Sequence, residues 1–158
     1  MGRREVWERE FAPAAARLGV QDRVVSSGWL DGEDLQAAYA ATDVFATPSI
    51  CFDTFGLVNL EAMEHGKPVV ATSFGGSPEV VRDGATGFVE NPFDVEAFSA
   101  RVATLLRDPL LRARMGAAGR ERLLERFTID RLTAEYLEEY GTAMSLAAGV
   151  RSRTFASR

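Results

Sequence analysis

Pro68-Val69-Val70-Ala71-Thr72, set between Gly66 and the pair Gly75-Gly76, restricts how this chain can fold more than any other stretch. A short continuous apolar run bounded by glycines marks a strand buried on both faces, the kind found in parallel sheets covered by helices. Its carboxyl end opens directly into Ser73-Phe74-Gly75-Gly76-Ser77. Upstream, Asp53 precedes a helical pattern from Gly56 to His65, and Glu61 lies inside that pattern. One carboxylate therefore sits on a loop and the other on a helix, a pairing suited to a ligand with two hydroxyl-rich ends.

The flanking segments repeat the alternation. Arg3 to Leu18 reads as a helix with Val6, Trp7, Phe11, Ala14, Ala15 and Leu18 on one face, Trp7 and Phe11 being core residues. Pro13 kinks or divides it. Arg23 to Ser27 reads as a short strand closed by Gly28. Asp31 caps a helix to Ala41 with Leu35, Ala38 and Tyr39 inward. Asp43 to Thr47 and Gly87 to Val89 read as further strands. Asp94 starts a helix through Leu106, and Asp108-Pro109 ends it and opens another from Leu110 to Glu125. Within the latter, Arg120 to Arg126 alternates in sign and reads as a solvated face. Thr128 caps a last helix to about Met144, and residues 147–158 are expected to form a disordered tail. Strand and helix in turn imply an α/β fold with a parallel sheet, one domain over residues 1–146 without an internal boundary.

A chain of 158 residues, 46% hydrophobic, can bury a sizeable core. Its net charge of −5 argues against a nucleic-acid surface. Cys51 is the single cysteine, which excludes an intrachain disulfide and argues against a zinc site. No signal peptide or long apolar span is visible, so the cytoplasm is the expected compartment.

The string Pro48-Ser49, Asp53 to Glu61 with Phe55-Gly56-Leu57 between, Glu61-Ala62-Met63, Gly66-Lys67-Pro68-Val69-Val70, Gly75-Gly76-Ser77-Pro78-Glu79-Val80-Val81 and Asp83-Gly84-Ala85-Thr86-Gly87 closely resembles the donor-binding half of the retaining, nucleotide-sugar-dependent glycosyltransferases of the two-domain GT-B type, the glycosyl transferases group 1. The resemblance covers roughly Val20 to Tyr140. It implies a Rossmann-like parallel sheet with flanking helices and transfer of a sugar from a nucleotide diphosphate sugar to an acceptor, with no obligatory divalent metal and no other cofactor. The family usually carries Glu, one methylene longer, at the position of Asp53.

By this resemblance Glu61 accepts hydrogen bonds from the ribose hydroxyls, a task for a carboxylate. Asp53 stands near the donor sugar and is assigned the catalytic role. Phe55, Gly56 and Leu57 at one helix start, and Gly75, Gly76 and Ser77 at another, offer backbone N–H groups to the diphosphate. Trp29 packs by the nucleobase. Each has a plainer reading: Glu61 a helix-start acid, Asp53 a turn former, the glycines relief of a tight turn. His65, the only histidine, reads as a cap at its helix's carboxyl end.

The family's acceptor-binding domain and the opening strands of its donor domain have no counterpart in these residues. They are expected from a missing amino-terminal part or a partner chain, with peripheral membrane contact assigned to that part and self-association to an exposed sheet edge around Arg23 to Ser27. A non-catalytic nucleotide-sugar-binding or interaction module and a nucleotide-sugar epimerase fragment are the alternatives.

Overall fold

The computed structural model describes residues 4–155, and side chains over residues 5–146. Two compact units divide the chain, Met1–Ala41 and Thr42–Arg158, where the sequence reading drew no boundary.

The first unit is helical. Helix α1 (Arg4–Val6) leads into a π-helical turn, Trp7–Phe11, and then α2 (Ala12–Arg17). The cause is Pro13, which has no N–H and whose ring would strike the carbonyl four residues back in a regular helix. Widening the turn ahead of it resolves the clash, and Ala12 N–H bonds to Trp7 O, a five-residue step. Trp7 and Phe11 stack at 6.3 Å, yet Phe11 is exposed and Trp7 only half-buried. They are not the core residues expected; Ala15 and Tyr39 are the buried apolar ones here. Helix α3 (Gly32–Ala41) follows, with Leu35 N–H on Asp31 O. The strand expected at Arg23–Ser27 does not form. Gln21–Arg23 is a short 3-10 turn and Val24 is extended, but no strand pairs with this segment among the described residues and Val25 is 89% exposed. An extended stretch without a ladder is not a strand, so the sheet edge expected there is absent.

The second unit carries the sheet, three parallel strands in the order β1 (Phe45–Thr47), β2 (Val69–Thr72), β3 (Gly87–Glu90). Phe45 pairs with Val69, and Val69 with Gly87. All four residues of β2 are buried, as its unbroken apolar run requires. Helices α4 (Leu57–Glu64), α5 (Ser77–Val80), α6 (Val95–Arg107), α7 (Pro109–Arg126) and α8 (Ile129–Phe155) complete the unit. Val70, Phe88, Phe98, Leu105 and Met115 form one core cluster, with Val44, Val102 and Leu111 packed on it. The caps read from sequence hold: Asp94 Oδ1 accepts from Ala97 N–H at 2.9 Å, Asp108 Oδ1 from Leu111 N–H at 2.9 Å, and Thr128 Oγ1 from Arg131 N–H at 3.4 Å. Helix α8 runs on to Phe155, past the end expected near Met144 and through most of the expected tail, of which residues 156–158 lie outside the described residues.

Helix α7 ties its neighbours together. A Cβ on Gly116 would come within 1.9 Å of Gly66 O, so only glycine lets the helix approach the turn before β2. Three of its arginines then satisfy the carbonyls that helix ends leave unpaired. Arg112 Nη1 donates to Leu105 O and Leu106 O of α6 at 3.3 and 3.2 Å, and Arg120 Nε to Glu64 O of α4 at 3.2 Å. Arg122 donates from Nε to Val80 O at 2.9 Å and from Nη2 to Glu79 O at 2.7 Å. The charge-rich stretch is thus more than a solvated face: Arg120 and Arg122 cap α4 and α5. Burial, and after it Arg82 and Arg126, hold the Arg122 pKa below its ordinary value.

Candidate functional site

The loop after β1 and the loop after β2 meet backbone to backbone. Gly75, at φ +63°, lies so close to the first loop that a Cβ would stand 2.0 Å from Asp53 O, and one on Gly76 2.2 Å from Thr54 O. Gly76 N–H donates to Asp53 O at 2.9 Å. Both glycines are therefore demanded by contact between loops, a reason that neither a phosphate cradle nor a tight turn had supplied. Asp53 Oδ1 accepts from Phe55 N–H at 3.2 Å, an Asx turn that delivers the chain to Gly56 (φ +79°) and α4.

Two of the N–H groups assigned to a diphosphate, those of Phe55 and Gly76, thus have partners within the protein. The start of α4 at Leu57 and Val58 is where a helix leaves N–H groups unpaired, which makes it the stronger candidate for an anion. Helix α5 has only four residues, and Glu79 N–H already returns to Gly76 O at 3.0 Å.

Glu61 is half-buried in the second turn of α4, beyond the first turn where the dipole alone favours an acid. His65 is the carboxyl cap of that helix, as read from sequence. Its Nδ1 lies 2.9 Å from Glu61 O, and since a carbonyl only accepts, the contact places a proton on Nδ1. Trp29 belongs to the first unit and is 72% exposed. Asp53, Phe55, Gly56, Leu57, Gly75, Gly76 and Ser77 come together in the second.

Sequence reasoning missed Asn59. It is 0% exposed, accepts from Thr47 Oγ1 at 2.9 Å and donates from Nδ2 to Ser77 Oγ at 3.2 Å. One amide thereby joins the end of β1, the first turn of α4 and the start of α5. The available signal was an amide sharing the buried helix face with Ala62 and Met63.

A cavity of about 450 Å³ opens beside the α4 start, lined in part by Phe55, Leu57, Leu60, Arg122, Arg126 and Phe127. Phe55, from the first of the paired loops, lines it, whereas neither Glu61 nor Gly75 does. No helix among the described residues is long and apolar enough to cross a membrane.

Residues 4–122 match the family model described as glycosyl transferases group 1. The chain is 43% identical over 117 residues to the GDP-mannose-dependent alpha-(1-6)-phosphatidylinositol monomannoside mannosyltransferase of Mycolicibacterium smegmatis, covering 70% of this chain and 31% of that protein. It is 40% identical over 131 residues to the D-inositol 3-phosphate glycosyltransferase of Salinispora tropica, covering 83% of this chain and 27% of the relative. Among solved structures, Anabaena HepE in complex with UDP superposes with a TM-score of 0.81 at 28% identity, covering 87% of this chain and 37% of that one. This chain belongs to the glycosyl transferases group 1 family, and its α/β fold is that of part of a GT-B glycosyltransferase. It spans 31% and 27% of the length of these two curated relatives.

Proposed function

We propose that these residues form the donor-nucleotide side of a retaining glycosyltransferase, which moves a sugar from a nucleotide diphosphate sugar to an acceptor hydroxyl. The observation that carries the reading is the backbone contact of the Asp53–Phe55 loop with Gly75-Gly76 at the carboxyl ends of β1 and β2, where open α/β sheets bind ligands. The first loop also starts the helix that bears Glu61. In this reading Glu61 accepts from the ribose hydroxyls. The unpaired N–H groups at the start of α4 face the diphosphate, and Gly75 and Ser77 flank it. Asp53, already shaped by its Asx turn, turns its remaining carboxylate capacity toward a donor-sugar hydroxyl.

The bond that breaks joins the anomeric carbon to the diphosphate. The new bond forms from the acceptor oxygen on the same face, and the acceptor proton passes to the leaving diphosphate oxygen. Charge gathering on the leaving diphosphate is met by helix-start N–H groups, a preorganised electrostatic contribution. No divalent metal is required, and the cytoplasm is the compartment of the reaction. Acceptor binding and the cations that neutralise the diphosphate are assigned to sequence outside these 158 residues or to a partner chain, so the isolated chain binds donor without transferring sugar. UDP occupies the HepE relative and GDP-mannose is named for the mannosyltransferase, so both bases belong in the test. Calorimetry with a panel of nucleoside diphosphates and their sugars provides it. Weak binding without turnover fits the proposal, and the absence of heat at millimolar concentrations of every member would end it.

A further inference from the structure

We propose that Phe52, Phe74 and Phe93 form a stacking platform for the C–H face of a saturated, hydroxylated ring, the sugar or cyclitol bound beside Asp53. The inference rests on the sugar-transfer reading above. Each strand contributes one ring from the segment that follows it: Phe52 after β1, Phe74 after β2 and Phe93 after β3. The centroids of Phe52 and Phe74 are 5.7 Å apart with planes at 24°, and those of Phe74 and Phe93 are 5.8 Å apart at 55°. Local turns fix the backbone under two of them. Phe74 N–H donates to Thr72 Oγ1 at 3.2 Å, and Phe93 N–H to Asn91 Oδ1 at 3.0 Å. Phe52 is 81% and Phe93 69% exposed, so two of the three clustered rings meet water instead of the core.

Position, size and charge select the occupant. Phe52 directly precedes Asp53, Phe74 directly precedes Gly75, and those two residues belong to the loops already in backbone contact. A ligand that reaches Asp53 therefore comes to the two loops that carry Phe52 and Phe74. A phenyl side chain offers about 150–250 Å² when wholly buried, and with Phe74 already half-covered the patch falls short of the roughly 800 Å² per partner of a stable protein interface. The size suits one small ring. Cation–π contacts found among the described residues fall on other rings, Arg101 over Phe88 and Arg122 over Phe127. An electron-rich aromatic face draws polarised C–H groups, while the hydroxyls at the ring's edge remain for the Asp53 carboxylate. A donor sugar and an acceptor ring share this chemistry.

The test uses the whole chain, calorimetry for UDP, UDP-glucose, GDP and GDP-mannose, and saturation-transfer NMR for methyl α-glucopyranoside and myo-inositol. The variants are Phe52→Ala, Phe93→Ala and the pair, with circular dichroism to confirm the fold and Phe52→Trp as the conservative replacement. The pair is expected to weaken the ligands that carry a hexose or cyclitol ring by about fivefold or more, with UDP and GDP unchanged and Phe52→Trp retaining affinity. Loss of only the affinity that glucose or mannose adds to its own diphosphate supports the platform with the donor sugar as its source. Loss confined to the free rings supports it with the acceptor as source. Unchanged affinity for every ligand that carries a hexose or cyclitol ring overturns it, as does an equal loss for UDP and GDP or an effect on self-association alone. A wild-type chain that binds the rings but neither UDP nor GDP overturns the donor-nucleotide reading and leaves the platform standing. A chain that binds no ring at all overturns the platform.

Discussion

Asn59 donates from Nδ2 to the hydroxyl of Ser77 at 3.2 Å across 18 residues of sequence, with both side chains buried. Because Asn59 Oδ1 also accepts from Thr47, the oxygen and the nitrogen of this amide each have a partner supplied by a different element. Replacing Asn59 with Leu keeps the branched shape and strands the buried Ser77 hydroxyl and the half-buried Thr47 hydroxyl, which costs about 1–3 kcal/mol. Urea unfolding of Asn59→Leu, Ser77→Ala and the double variant is expected to show losses that do not add, since the residues touch. Additive losses would mean that the hydrogen bond contributes nothing.

Gly75 and Gly76 make a sharper prediction. A Cβ at either position meets a backbone carbonyl that cannot swing away. At Gly75 the left-handed conformation adds roughly 1–2 kcal/mol. Gly75→Ala and Gly76→Ala are therefore each expected to destabilise the chain by more than about 1 kcal/mol, and to abolish diphosphate binding because the two loops must part. Gly141, where an added Cβ meets nothing within 4 Å, is the control, and Gly141→Ala is expected to leave binding intact. Thermal melts and calorimetry on the same preparations check both effects.

Much of the fold was legible because its signals are local. Burial of β2 on both faces writes an unbroken apolar run, and a cap needs only an Asp three residues before its N–H, so Val69–Thr72, Asp94 and Asp108 were readable directly. Val24-Val25 carries the same local signal, but a strand also needs a neighbour to pair with, and residue pattern does not supply one. Asn59, Arg120 and Arg122 were opaque for a related reason. Their roles depend on groups 12 to 56 residues away. The Gly75-Gly76 pair was readable as a feature of the site, whereas its tightest constraint, contact with the Asp53 loop, is tertiary.

Among the arginines of α7, Arg122→Ala is expected to lose about 1.5–3 kcal/mol, because its guanidinium makes charge-assisted bonds to two carbonyls at the end of α5. Arg114→Ala, on the exposed surface of the same helix, is expected to stay within about 0.5 kcal/mol. Equal melting temperatures for the two variants would remove Arg122 from the account of what holds α5 in place.

Metal independence is open to a direct check. Nucleoside diphosphate affinity is expected to be the same in EDTA and in millimolar magnesium, and a gain in magnesium beyond the ligand's own metal complexation would assign the site a cation.

The central claim is that Glu61 grips the ribose and Asp53 the donor sugar. Calorimetric titration of the wild-type chain, Glu61→Ala and Asp53→Ala with UDP and GDP tests it most directly, because these ligands carry the ribose but no donor sugar. Glu61→Ala is expected to remove most of the binding, while Asp53→Ala retains most of it. Equal losses, or a greater loss at Asp53, would contradict the roles assigned here.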